Sequence, residues 1–519
     1  MLVRLKNVGA LYSFLVWLLM LLIVSCDKKD NAIEVPASRP NLVSFSFLKE
    51  NNPQLEEDVL CDISIESDTI YCFVPHLVTD SLVASFSGNF SIVTVKDEVQ
   101  ISGVSVQDFN YPVTYVFTDD KGNISKKVLC VRGYNGIPRI VINTEDNNPI
   151  TSKEEYVNAG VKICNCPSYG VLETNCKIRG RGNATWELYP KKPYKIKLES
   201  KESLFGFPAN KDWILLADYC DKSLLRTAYM CEVSRAVGLD YTINYKYVEL
   251  TLNGEYLGTY ILTDQVEKGE NRVNIDNDGF LIEDDGYYNK EPLFFTTDSF
   301  GYNYTFKYPN ADNGKIVLND DNYNFINKFI NDLEIALSRI PEDCETYKNY
   351  LDIRSFAKWY IVAEVTGNWE PNLFYILSNR NSKLRMFPLW DAEWSLGLAM
   401  QGNDDDPNGW YRYPYQAKAN IDIWKSRKYF QFLFKDPEFV EVLASEWGKF
   451  VAKLPEVMMA VEKSVNEIQL AQRDNFEKWP ILDKYISVGL IALGTWEAEV
   501  DYVSSFFNDR IMWMNSGSK

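Results

Sequence analysis

The feature that most restricts how this chain can fold lies in its first thirty residues. Arg4 and Lys6 precede an unbroken apolar run from Phe14 to Val24, which ends abruptly at Ser25 and Cys26. A basic start, an apolar middle and a small-residue exit form the layout of a secretory signal. The run is too short for a comfortable membrane-spanning helix, and polar residues Asp27 to Asp30 follow it at once. No later stretch is long and apolar enough to span. Residues 1–26 are therefore read as a signal segment outside the folded body, which must fold beyond the cytoplasm.

Ile23, Val24, Ser25 and Cys26 resemble the lipobox of bacterial lipoproteins, in which the cysteine is acylated and becomes the mature N-terminus. The resemblance implies a lipid on Cys26, membrane attachment through it, and residence in the cell envelope, at the outer membrane or cell surface. Each buried methylene contributes about 0.8 kcal/mol, so several acyl chains hold a soluble body firmly.

Charge and residue inventory narrow the chemistry. Asp and Glu number 72 against 54 Lys and Arg, a net charge of −18, so the basic footprint of a nucleic-acid binder is missing. The cysteines after Cys26 show no paired CxxC spacing, which argues against zinc. Export permits disulfides, though the odd number after Cys26 leaves at least one thiol free. His76, beside Pro75 and Leu77, is the only histidine and reads as a strand-edge residue. Beyond it, Ser-His-Asp, Cys-His and HExxH chemistry are all excluded. Catalysis there must rest on carboxylates, lysine, arginine or a hard metal.

Organisation along the chain is multidomain. Residues 27–40 are a polar linker. Residues 41–135 carry short alternating apolar runs between turn signals, which predict a small all-β sandwich of immunoglobulin-like type acting as a spacer. From 136 to 519 the character becomes α+β, with a helical C-terminal part. Tyr247–Leu252 and Tyr256–Thr263 flank Asn253-Gly254, a strong hairpin signal. A helix is expected over 221–238, capped by Asp221 and closed by Gly238, and others near 353–365, 436–453 and 455–472.

Three constellations could carry chemistry. In the first, Arg179, Gly180, Arg181 and Gly182 precede Tyr194–Leu198. Glycines let backbone approach a phosphate, and Lys195 and Lys197 share one strand face. In the second, Arg226 at the start of the 221–238 helix can meet a carboxylate or phosphate, or form a structural ion pair. Glu232 further along can turn inward to a strand lysine or lie on the surface. In the third, a loop holding Glu370 and Asn372 leads into Leu373–Leu377, and Leu384–Trp390 returns to Asp391 and Glu393. Paired strands lie about 4.8 Å apart, so these four residues should gather at one end. Such carboxylates need a proton or cation between them, and their hard oxygens suit Mg or Mn completed by ATP phosphates. A kinase has this layout of catalytic loop, hairpin and metal-binding Asp.

From about 138 to 510 the chain resembles the CotH family of atypical secreted kinases. The matching stretches are Arg179–Trp186 with Pro190–Leu198, Asp212–Ala217 with Asp221–Arg226, Val248–Leu262, Thr263–Val266 with Asn271–Val273, and Trp390-Asp391 with Gly397. The resemblance implies an atypical protein-kinase-like domain that moves phosphate from ATP to Ser or Thr of a protein, with Mg or Mn. By position, Asp391 would hold the metal, the Gly180/Gly182 loop would cover the phosphates, Lys195 or Lys197 would contact them, and the catalytic base would fall near Glu370. Three positions depart from the family pattern. Glu370 stands where Asp is usual, Trp390-Asp-Ala-Glu393 replaces Trp-Asp-x-Asp, and Asp264-Gln265 replaces Glu-Gln. A displacement near 1 Å can cost on the order of a hundredfold in rate, so a weakened or non-catalytic relative is a competing expectation. Two further readings stay open. One is a surface protein binding a protein or glycan, for which the aromatic run Trp410–Tyr415 would suit sugar stacking. The other is a glycosidase pairing Glu370 with Glu393. The acidic stretch Asp404–Gly409 reads as a solvated loop.

Overall fold

The computed structural model describes residues 40–398 and 419–516, apart from 56–57, 62, 64–67, 75–80, 110, 134, 165–171, 313–314, 317–318, 371 and 487–490. Cys26, His76, the acidic stretch at 404–409 and the aromatic run at 410–415 lie outside the described residues. Within them no helix is long and apolar enough to cross a membrane.

The N-terminal region is β-rich. Leu42–Phe47 pairs with Val59–Leu60 and Ser85–Gly88 in a three-stranded antiparallel sheet. A second sheet runs in the order Thr69–Phe73, Ile124–Arg132, Val113–Thr118, Ile92–Val95 and Glu98–Val99. Alternation explains the packing: Val113, Tyr115 and Phe117 are buried while Thr114 is exposed, and the buried set meets Phe45, Phe47 and Leu129 in one core. The Cys61–Cys72 disulfide ties the end of a strand in the first sheet to an edge strand of the second.

Next comes an element the sequence reading did not foresee. Seven strands close into a barrel in the order Arg139–Thr144, Val157–Cys164, Leu172–Gly180, Tyr194–Glu202, Asn210–Leu216, Glu255–Asp264 and Tyr245–Leu252. Closure is made by the one parallel pair, Arg139↔Glu249 through Ile142↔Leu252. The expected hairpin forms its last two strands, with Asn253 and Gly254 both at positive φ as a two-residue turn demands. Tyr194, Ile196 and Leu198 point into the barrel core with Trp213, Leu215, Leu250 and Leu262. Lys195 and Lys197 therefore lie on its outer surface, sharing a face as expected.

The remainder combines helices with a five-stranded sheet, in the order Phe294–Thr296, Asn303–Tyr308, Phe280–Asp284, Leu373–Leu377 and Arg385–Met386. Helices Ile353–Val365, Pro437–Val451 and Leu454–Ile468 fall close to their expected places, and Asp320–Leu337 precedes them. The helix expected over 221–238 starts later, at Arg226, and runs to Val237. Leu224 takes a left-handed backbone (φ 61) that interrupts the helix before that point. Asp221 still serves the helix start, accepting from the Arg226 backbone N–H at 2.8 Å.

The barrel, the β-rich region and the helices meet at the Ala471–Lys478 helix. Arg132, on the last strand of the β-rich region, bonds Asp474 at 2.6 Å and Glu477 at 2.8 Å, and its guanidinium lies over the rings of Tyr71 and Tyr256. From the same helix, Asn475 accepts from the backbone N–H of Thr259 in the barrel and from the Lys191 ammonium, both at 3.1 Å. Outside the barrel, Ile214, Tyr247 and Ile261 join the large core built by the helices.

Candidate functional site

The site forms where the barrel strand Asn210–Leu216 runs out toward the Arg226–Val237 helix, opposite the loop that follows Trp390. Two segments of that opposing wall are laced together. Leu396 donates its backbone N–H to the Thr366 carbonyl at 2.7 Å, and Asn368 Nδ2 donates to the Asp391 carbonyl at 2.8 Å. Trp369 donates to the Trp394 carbonyl at 3.0 Å, and their rings stack 6.0 Å apart at 8°. These contacts hold the loop before the Leu373–Leu377 strand beside the loop after Arg385–Met386, as the hairpin argument requires.

Arg226 fastens this wall to the barrel exit. It is fully buried, bonds Asp221 at 2.5 Å, and donates from Nε to the Ser395 carbonyl at 2.7 Å. Arg226 was expected as a candidate phosphate contact; burial and these partners assign it to the framework instead, the ion-pair alternative.

Asp391 is the central carboxylate. Its backbone is left-handed (φ 67), and its side chain is exposed, yet protein surrounds it closely enough that desolvation raises its pKa. A group that water touches while protein hems it in sits in a cleft. Arg181 opposes that rise with its positive charge. The Arg181 guanidinium lies over the Trp390 ring, 5.4 Å from its centre. Gly180 makes this wall possible: a Cβ there would come within 2.4 Å of the Trp186 ring.

Glu393 and Asp218 stand behind Asp391. Glu393 is buried and accepts from the Cys220 backbone N–H at 2.6 Å; Asp218 is buried and accepts from the Thr227 hydroxyl at 2.9 Å. Burial raises both pKa values; the Asp221 charge then raises that of Asp218 further, and the Asp218 charge raises that of Glu393. Glu370 is half-buried; desolvation and then the Asp391 charge push its pKa up to about 7. Lys191, buried against Thr259 and Asn475, is held down to about 8 by desolvation, with the charges of Asp218 and Glu393 acting against the fall.

Four expected site residues thus share one locality: Arg181, Glu370, Asp391 and Glu393. Others stand apart. Asn372 was expected beside the carboxylates as a metal ligand, but its amide donates to Glu283, which Lys307 also pairs at 2.8 Å. The strand it precedes pairs with Phe280–Asp284, and that neighbour captures the side chain. Glu232, expected either to turn inward to a strand lysine or to lie on the surface, pairs with Arg235 at 2.6 Å and accepts from Tyr245 at 2.9 Å. Lys195 pairs with Asp212 at 3.0 Å across neighbouring strands, and Lys197 is exposed on the barrel exterior. Arg179 covers the Tyr156 ring at 5.1 Å, and Gly182 takes a left-handed backbone. Sequence reasoning missed Asp218 and Lys191. The signal for Asp218 was its place between Ala217 and Asp221, two stretches already singled out.

Among the described residues, no three His, Cys, Asp or Glu side chains gather closely enough to hold a metal by themselves. Magnesium rarely asks for such a cage, since one or two carboxylates suffice when phosphates and water complete its shell. The open Asp391 carboxylate, backed by like-charged neighbours that gain from a cation, fits that mode.

Removing the Arg226 guanidinium tests the framework assignment. Arg226→Met leaves Asp221 as an unpaired buried charge, so unfolding midpoints should fall by the equivalent of about 3–5 kcal/mol. Arg226→Met with Asp221→Asn should recover much of that loss. A single-variant loss below about 1 kcal/mol in denaturant titrations would contradict the assignment.

The family model described as CotH kinase protein matches residues 178–514 of this chain. No curated protein gives a significant match.

Proposed function

The chain belongs to the CotH kinase family, and from that premise we propose that it is a membrane-anchored, extracytoplasmic kinase passing phosphate from ATP to Ser or Thr of a protein. The observation that carries this reading is the convergence of an open carboxylate, Asp391, with Arg181 and Glu370 in one cleft inside the matched region. Phosphoryl transfer asks for little else from a protein: positions for a metal and phosphates, positive charge, and a group to take the acceptor proton.

In this scheme Asp391 holds the metal, with Glu393 and Asp218 adding negative charge behind it. Bound Mg or Mn would neutralise charge developing on the transferred phosphoryl group. Arg181 supplies a positive charge on the wall facing Asp391. Glu370 takes the proton from the acceptor hydroxyl, and a pKa of about 7 leaves it substantially ionised at neutral pH while still basic enough to serve. Trp369 and Trp394, stacked and buried or half-buried, keep one side of the cleft apolar.

A second reading rests on Asn372. Its amide is taken by Glu283, so one expected metal ligand is withdrawn. That favours a weakened or non-catalytic relative that binds a protein or glycan on the same scaffold.

Radiolabelled transfer from ATP to an acceptor protein, or to the chain itself, separates the two. The kinase reading expects activity that needs Mg or Mn and rises with pH through about 7 as Glu370 loses its proton. Glu370→Gln should cut the rate by about a hundredfold or more and abolish that rise. No transfer at any pH, or transfer indifferent to Glu370→Gln, would overturn the catalytic assignment. Anchoring is checked separately: Cys26→Ser should move the protein from the membrane fraction to the soluble one. Retention of the variant on membranes would refute lipid attachment at Cys26.

A further inference from the structure

Arg181 and Asp391 are opposite charges facing one cleft, yet they are not bonded to each other. Among the described residues the Asp391 carboxylate has no hydrogen-bond or ion-pair partner within 4 Å, and neither does the Arg181 guanidinium. Arg181 rests instead on the Trp390 ring at 5.4 Å, which fixes it next door to Asp391 without closing the gap. Its backbone is pinned on both sides. Gly180 donates to the Ser152 carbonyl at 2.9 Å, and Arg181 itself donates to the Pro193 carbonyl at 3.2 Å. The freedom left is in the side chain. Its charge faces Asp218 and Glu393 as well as Asp391, so it acts on the whole acidic wall.

A fixed positive charge at that place has two opposite effects. It repels a bare divalent cation approaching the carboxylates, and it attracts a polyphosphate. Once phosphate oxygens engage the guanidinium, its field on the acidic wall is largely cancelled, and the same oxygens offer ligands to the cation.

We propose that Arg181, laid on Trp390 beside Asp391, makes divalent-metal capture conditional on the nucleotide. The acidic wall takes Mn or Mg weakly alone and tightly once a nucleoside triphosphate has engaged Arg181. This rests on the kinase reading above and adds an order of events to it: the phosphates and the metal enter together, and the metal alone is held off. The arrangement suits a protein outside the cytoplasm, where free divalent cations would otherwise fill an open acidic cleft without any nucleotide.

The test is Mn binding, read by electron paramagnetic resonance of the free ion, with and without a non-hydrolysable ATP analogue. Wild type should bind Mn about tenfold or more tightly when the analogue is present. Arg181→Met should bind bare Mn about tenfold more tightly than wild type, the effect of deleting one nearby positive charge, and should lose most of the nucleotide-dependent gain. Arg181→Lys keeps the charge and should stay within about threefold of wild type for bare Mn; it also controls for altered folding. Bare-Mn affinity unchanged or weaker in Arg181→Met, with wild type binding Mn and analogue together, overturns this inference alone. Wild type binding neither Mn nor analogue overturns the kinase reading along with it.

Discussion

The buried pair of Arg226 and Asp221 is the interaction on which the site depends. Asp221 lies on the chain leaving the barrel, and Arg226 opens the helix that follows. With its remaining donors Arg226 grips the Ser395 carbonyl, just beyond Asp391 and Glu393. One guanidinium therefore sets the distance between the barrel exit and the carboxylate loop. Taking both charges out of water costs several kcal/mol, which a paired, multiply bonded geometry only offsets. Such a pair adds little net stability and fixes where two segments far apart in sequence must meet. A second fully buried pair, Arg510 with Glu364 at 2.5 Å, does the same at the end of the helix that leads into Thr366 and Asn368.

Around that framework the charges are arranged against their own comfort. Asp218, Glu393, Asp391 and Glu370 all have raised pKa values, with desolvation as the leading cause and neighbouring negative charge adding to it at Asp218, Glu393 and Glu370. A fold selected only for stability would neutralise or disperse them. Clusters of strained titratable groups in a cleft mark functional sites more often than structural ones. Here Arg181 and Lys191 bring positive charge from the barrel side without forming an ion pair with any of the four among the described residues. The site is thus charged on both walls and bridged by neither.

Much of this was legible in sequence because it is local. Asn253-Gly254 set a hairpin, the 3.6-residue spacing marked the Ile353–Val365 helix, and alternation put Lys195 and Lys197 on one face. The short hairpin around Ser378–Lys383 brought Glu370 and Asp391 together, again a local event. What failed was decided by distant partners. Asn372 was drawn away by Glu283, some ninety positions earlier; at Arg226, where two readings stood open, a carbonyl far downstream decided for the buried ion pair. Barrel closure depends on Arg139–Thr144 pairing in parallel with Tyr245–Leu252, a contact that no turn signal encodes. Asp218 was overlooked because its role appears only when Glu393 arrives beside it.

Asp391 is the proposed anchor of a metal–nucleotide site. The most direct measurement is thermal unfolding of residues 27–519 with ATP and manganese together, for the wild-type chain and for Asp391→Ala. The wild type should gain several degrees only when both are present, since a ligand that binds the folded state stabilises it in proportion to its saturation. The gain should disappear in Asp391→Ala while the ligand-free melting temperature stays close to that of the wild type. Absence of any shift at millimolar nucleotide, or an equal shift in the variant, would contradict that role for Asp391.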